Sequence, residues 1–297
     1  KENEAELGRG RVILFFERGE EGMGNIRYLL DHMLAQDTKV AAAHGIHVRP
    51  DLPTGVIFSP SGPIMAGATG FTVKIRGRGG HGSRPDLSNN PVDCFVAVYS
   101  ALMALRVRYV SPFEQLTFSV CTLKGSERGN VIPGEVSFGG TARYYNKAVG
   151  QTFIDEFTSI LDNVTAAYHC TYETNGMRAG DPTLNNADAG AFARGVIRKY
   201  LGEDAVAETT PLMGSESFSL LTQLYPGVMV HLGIGNEGIG SGADLHSEYF
   251  DVDEAALALG VAETVGFAVD FIQGDEVFAH TPVRDLDAIN SWQNRKA

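Results

Sequence analysis

The chain has 297 residues, 43% of them hydrophobic and 20% charged, with a formal net charge of −12. That length suffices for a large core and two domains, and the composition is that of a folded protein rather than a disordered or membrane-embedded one. The acidic balance, with a pI near 5.1, leaves no basic surplus to displace counterions from a nucleic-acid backbone, so no nucleic-acid partner is expected.

The opening KENEAELGRG is charged and holds no apolar stretch of the secretion-signal kind. No uninterrupted apolar run approaches the roughly 20 residues that span a bilayer, so no membrane association is expected. Cys94, Cys121 and Cys170 form no CxxC pair and are odd in number, which fits reduced thiols in a cytoplasmic protein.

RVILFF (11–16) is a continuous apolar run and predicts a strand buried on both faces. Ile26, Leu29, Leu30, Met33 and Leu34 recur at helical spacing over 24–34, and KVAAAHGIHV (39–48) predicts a second buried strand. Strand, crossover helix and strand suggest a parallel unit with helices packed on its sheet. The Pro- and Gly-rich segment 49–67 reads as loop with one short strand.

From residue 70 the pattern changes. GFTVKIRGRG alternates strictly; a helix at about 91–107, strands at 116–125 and 135–145, a helix carrying Phe153, Phe157, Ile160, Leu161, Val164 and Tyr168 on one face, and a strand at about 169–175 follow. This β-α-β-β-α-β order is the ferredoxin-like unit. After a loop at 175–190, AFARGVIRKYLG reads as helix and GVMVHLGIG (227–235) as a buried strand. A long last helix, with Asp253 as its cap, places Leu257, Val261, Val265, Ala268 and Ile272 on one face. The expected architecture is an α/β domain formed by residues 1–69 and 181–297, interrupted by an α+β domain at 70–180.

Several polar residues fall where such folds hold ligands. Glu20 and Glu21 follow the first apolar run, at the strand end where open α/β sheets bind; acidic pairs also commonly sit in solvent or beside a helix start. His44 and His47 lie three apart on one extended strand and so point to opposite faces, with His47 nearer the strand end. Glycines surround His81 in GRGGHGSRP, which suits either close ligand approach or a plain bulge. His246 lies in GADLHSEYFDVDE among carboxylates that could orient it. PLMGSESFSLL lacks a nucleophile elbow and reads as a helix start with Ser215 as cap and Glu216 and Ser217 in the first turn. Carboxylates and imidazoles together suit zinc, manganese or a similar ion, and a neighbouring free carboxylate suits a general base.

In this order, FFERGEEG, HGIHVRPDLPTG, GRGGHGSRP, GNVIPGEVSFGGTAR, MGSESF and LHSEYF resemble the M20 metallopeptidase family. Within it they resemble the amidohydrolases that cleave N-acyl amino acids, including hippurate, aminoacylase-type and auxin-conjugate hydrolases. The resemblance spans essentially the whole chain. It implies a three-layer α/β catalytic domain with a two-metal site (zinc or manganese) and an inserted ferredoxin-like lid domain that often mediates homodimerisation. Carried over residue by residue, Glu20 is similar to the general base, Glu21, His47 and His246 to metal ligands, and His81 to the histidine that stabilises the oxyanion. Asn130 and Arg143 match lid positions that line the substrate site. The implied reaction is hydrolysis of the amide bond of an N-acyl amino acid or small peptide.

The family pattern is broken in three places. The Cys-Gly-His-Asp segment, source of a cysteine and a histidine ligand, would fall upstream of KENEAELG and does not occur in these 297 residues. The usual Gln-Pro-Ala before the acidic pair is Glu17-Arg18-Gly19, and the usual Glu-Asp is Glu216-Ser217. The missing ligands support an alternative, a catalytically silent homologue or truncated fragment that serves as a binding or dimerisation module, whereas retention of the carboxylate pair and all three expected histidines supports the enzyme.

Overall fold

The computed structural model describes residues 10–21, 26–126 and 128–283 and groups them into two units. One unit takes in Ala66–Pro182 and Met213–Ser215; the other takes in Thr183–Leu212 and the described residues up to Met65 and from Glu216 onward.

The second of these is built on β1 (Ala43–Pro53), β2 (Ile57–Phe58) and β11 (Gly227–Gly235), in the order β1-β11-β2. β1 and β11 run parallel with His47 opposite His231, while β2 is antiparallel to β11. β3 (Gly62–Met65) pairs with β10 (Thr183–Asn185) beside them. Alternation sends Val228, Val230, Leu232 and Ile234 to one face of the sheet, where they join Val196, Ile197 and Phe267 from α4 (Ala187–Leu201) and α6 (Ala255–Gln273). The other face carries Met229 and Phe58 among Leu52, Ile64 and Met65, flanked by α1 (Ile26–Ala35) and α5 (Ser219–Leu224). β11 is therefore buried along nearly its whole length, and apolar apart from His231, because it is covered on both faces. Gly45 lets the Phe218 ring lie against β1, where an added Cβ would meet it at 3.0 Å.

The other unit follows its alternating sequence. β4 (Gly67–Arg76), α2 (Pro91–Tyr109), β6 (Leu116–Lys124), β8 (Glu135–Tyr144), α3 (Lys147–Ala167) and β9 (Thr171–Thr174) form a four-stranded antiparallel sheet in the order β6-β8-β4-β9 with two packed helices. Phe71, Val73, Ile75, Val98, Leu102, Phe138, Phe153 and Phe157 make its core. Asn90 and Asn146 cap the two helices through their side-chain oxygens, which accept the amides of Val92 and Ala148. A short hairpin-like pair, β5 (Gly80–His81) with β7 (Val131–Ile132), stands apart from the main sheet.

Four expectations need correction. Residues 11–16 form no strand; Val12, Leu14 and Phe16 are exposed, because no strand among the described residues offers them a ladder. The start expected for α1 at residue 24 lies outside the described residues. The strand expected at 39–48 begins at Ala43 and runs to Pro53, through part of the segment read as loop, which also contributes β2 and β3. Likewise β10 and the first turn of α4 occupy part of the loop expected at 175–190.

The fourth correction concerns α6, whose expected buried face turns outward over its first three positions, with Ala268 and Ile272 half-buried. Leu257, Val261 and Val265 are exposed, whereas Ala256, Gly260, Glu263, Gly266 and Phe267 pack inward. Small residues win because they bring the helix close to the sheet: Gly260 sits against Leu232 and Ile46. With a mean hydropathy of 1.7, α6 is long and apolar enough to cross a bilayer by length and composition; in this fold it packs on β1 and β11. Asp253 accepts the Ala255 amide at its start, as a cap should, and a bond from Asn236 holds its carboxyl below the ordinary range.

Candidate metal and catalytic site

Glu20 and Glu21 lie in a turn rather than at a strand end. Glu21 is exposed, and its Oε2 stands 3.4 Å from His246 Nε2. His246 holds this place with φ of 63°, a left-handed conformation unusual for a side chain with a Cβ. Bonds of about 2.1 Å at a tetrahedral angle set donor–donor distances near 3.4 Å, so this carboxylate–imidazole pair fits a shared divalent ion.

Glu20 is half-buried and lies within hydrogen-bonding reach of the Glu216 carboxyl. Glu216 is buried, and burial first, then Glu20, push its carboxyl up to about 8. It does not form the helix start expected for it. The α5 helix begins only at Ser219; Ser215 receives a bond from Arg143 instead of capping, and Glu216 Oε1 accepts the Phe218 amide. Ser217 Oγ donates to Glu17 Oε2 at 2.5 Å. The two local departures from the family pattern, Glu17 and Ser217, are thus partners: a carboxylate on one side meets a hydroxyl donor on the other. Burial raises the Glu17 carboxyl despite this bond.

His47 is half-buried on β1, and its Nδ1–H donates to the Val48 carbonyl at 2.7 Å. That bond leaves Nε2 as a lone-pair donor, the state a metal requires. His44 points the opposite way, as its spacing requires, and meets the fully buried Glu263 of α6 at 3.0 Å. Beside His47, with ring centroids 6.1 Å apart, lies His231, which is fully buried and held neutral by burial, its pKa depressed to about 3. From sequence Glu216 received only a helix-start place and a part in the altered motif, and His231 was not singled out; the register that sets His231 opposite His47 is the signal that finds it.

In the other unit, His81 Nδ1 accepts the Ser83 amide at 3.1 Å, which leaves Nε2–H as an exposed donor. Asn130 is brought to it through the β5–β7 pairing, its carbonyl accepting the Gly82 amide at 2.9 Å. Arg143 of β8 is half-buried and donates to Ser215 Oγ at 2.9 Å; burial lowers its pKa. Among the described residues no three His, Cys, Asp or Glu side chains converge as a metal cluster. The predicted ligands fall instead into one pair, Glu21 with His246, and His47 beside His231.

The described chain thus combines an α/β unit carrying carboxylates and imidazoles on its loops and strands with an α+β unit of ferredoxin-like strand order. The sequence profile of the peptidase family M20/M25/M40 matches residues 1–268, and the chain belongs to that family. It is 30% identical over 270 residues to IAA-amino acid hydrolase ILR1-like 2 of Arabidopsis thaliana, covering 89% of this chain and 60% of that protein. It is also 30% identical over 262 residues to the N-acetylcysteine deacetylase of Bacillus subtilis, covering 86% and 64%. The chain therefore spans less than two thirds of the length of these relatives. Among solved structures, a dinuclear metal binding peptidase of the M20 family from Bacillus subtilis superposes with a TM-score of 0.70 at 22% identity, over 87% of this chain and 64% of that one. The aminobenzoyl-glutamate utilization protein of Klebsiella pneumoniae does so at 0.64 and 17%, over 88% and 62%. These two likenesses are of fold.

Proposed function

We propose that this chain carries a metal-dependent hydrolase activity that cleaves the amide bond of N-acyl amino acids or small peptides. The observation that carries this reading is the adjacent pair Glu20 and Glu21 in two environments. Glu21 is exposed and set against an imidazole at ion-sharing distance, whereas Glu20 is half-buried and backed by a second carboxyl. The names of the relatives, a conjugate hydrolase and a deacetylase, support the substrate class.

Glu21, His47 and His246 would hold two divalent ions, zinc or manganese. Bound there, the metals supply Lewis acidity toward the substrate carbonyl and lower the pKa of water. Glu20 takes the proton of the attacking water and returns it to the leaving amine. His81, with Nδ1 committed to Ser83, offers Nε2–H to the developing oxyanion. Arg143 and Asn130 contact the substrate, the guanidinium suiting its carboxylate.

We assign residues 1–69 and 181–297 to the catalytic metal-binding domain and 70–180 to a lid and dimerisation domain. Val92, Val96, Tyr99, Met103 and Val107 form an exposed apolar stripe along α2, and β6 is an edge strand; both support a homodimer formed through that domain. Two buried unpaired thiols, Cys94 and Cys170, agree with a reducing, cytoplasmic setting.

The alternative, a silent binding or dimerisation module, draws on one observation: no three potential ligands converge among the described residues. Metal analysis combined with assay decides between them. The expected result is two equivalents of Zn²⁺ or Mn²⁺ bound, with metal-dependent release of amino acid from N-acetyl and N-benzoyl amino acids. Absence of both binding and release would leave the module.

A further inference from the structure

His231 lies in the middle of an apolar strand, yet it is fully buried with neither ring nitrogen hydrogen-bonded. A buried imidazole without partners forfeits the bonds it makes in water, so its place calls for a compensating contact. The parallel register sets it directly across from His47, on the same face of the sheet. The neighbouring rings on its other side, including Phe58 at 6.2 Å, offer nothing polar. Arg49 is the nearby cation, and its charge is already met by a two-pronged contact to Asp51 at 2.8 and 3.0 Å. No uncompensated positive charge therefore opposes a second cation here.

We propose that His231 is a metal ligand of this chain, joining His47 to form a two-imidazole site for a divalent transition-metal ion such as Zn²⁺ or Co²⁺. The proposal rests on the metal-dependent reading above and adds to it a ligand that the family resemblance does not supply. The geometry permits it. An ion about 2.1 Å from one nitrogen of each ring lies about 3.2 Å from each ring centre, so the ring centres stand about 5.2 Å apart at a tetrahedral angle and at most about 6.4 Å apart at any angle. The observed separation is 6.1 Å. His47 presents Nε2 because Nδ1 is bound to Val48, and His231 has both nitrogens uncommitted. Imidazole suits Zn²⁺ and its first-row neighbours rather than Mg²⁺ or Ca²⁺, and water or substrate would complete the coordination.

The test is Co²⁺ binding to the EDTA-treated chain, followed by visible absorption and by bound-metal analysis, for wild type and His231→Phe. Phenylalanine suits the aromatic, apolar surroundings, and circular dichroism checks that the variant folds. The expected result is at least a tenfold loss of Co²⁺ affinity for one equivalent, with a changed visible band. In the wild type labelled with ¹⁵N-histidine, Zn²⁺ should shift the ring nitrogens of both His47 and His231, a readout that needs no stable variant. Unchanged affinity and spectrum in His231→Phe, or an unmoved His231 resonance, overturns this proposal alone. A wild-type chain that binds no Co²⁺ overturns it together with the metal-dependent reading.

Discussion

Replacing Glu216 with Gln removes a carboxyl that the fold holds largely protonated near neutral pH. Burial and the proximity of Glu20 raise its pKa from 4.5 to about 8, so between these values the folded chain keeps a proton that the unfolded chain has lost. The stabilisation is complete below about pH 4.5 and drains away as pH rises through 8. At 1.36 kcal/mol per pKa unit the full shift corresponds to a ceiling of about 5 kcal/mol. Part of the rise comes from Glu20, so Glu216→Gln removes both the buried carboxyl and its repulsion with Glu20. A domain is stable by only about 5–15 kcal/mol, so even half the ceiling is readily measured. Urea unfolding of EDTA-treated protein from pH 4.5 to 8.5 should show wild type losing stability more steeply with rising pH than Glu216→Gln. Parallel profiles for the two proteins would refute the raised pKa of Glu216.

Further outcomes follow from burial. Cys121 is exposed, whereas Cys94 and Cys170 are buried and desolvation pushes Cys94 up to about 12; a maleimide at pH 7 should label one thiol quickly, and Cys121→Ser should abolish that fast phase. His44→Ala leaves the fully buried Glu263 without its imidazole and should destabilise the chain by about 3–5 kcal/mol in urea unfolding. Glu263→Gln combined with His44→Ala should recover part of that loss.

How much of this was legible in the sequence depended on how local each signal is. The α+β unit was readable because each strand alternates and each helix carries its own apolar face: Phe153, Phe157 and Leu161 recur at helical spacing and all are buried. β11 was readable from its largely apolar run bounded by glycines, broken only by His231. RVILFF carries the same kind of signal and yet forms no strand, since periodicity says nothing about whether a neighbouring strand is present. The outward turn of that α6 face has a related cause: hydrophobicity marks Leu257, Val261 and Val265, while close helix–sheet approach selects Gly260 and Gly266.

The candidate site was proposed from residue types carried by ordered motifs, and two of those motifs meet where Glu21 lies beside His246. What escaped was everything set by register or by distant partners. His231 looks like one more core position until β1 is laid beside β11. Glu17 and Ser217 look like two separate irregularities until the hydroxyl is seen donating to the carboxylate.

The central claim is the division of roles between adjacent carboxylates, Glu20 for the proton and Glu21 for the metal. Measuring amide hydrolysis and bound metal in parallel for Glu20→Gln tests it most directly. The account predicts that hydrolysis of an N-acyl amino acid falls at least a hundredfold while bound Zn²⁺ or Mn²⁺ is unchanged. Full activity in Glu20→Gln, or loss of metal in step with activity, would contradict it.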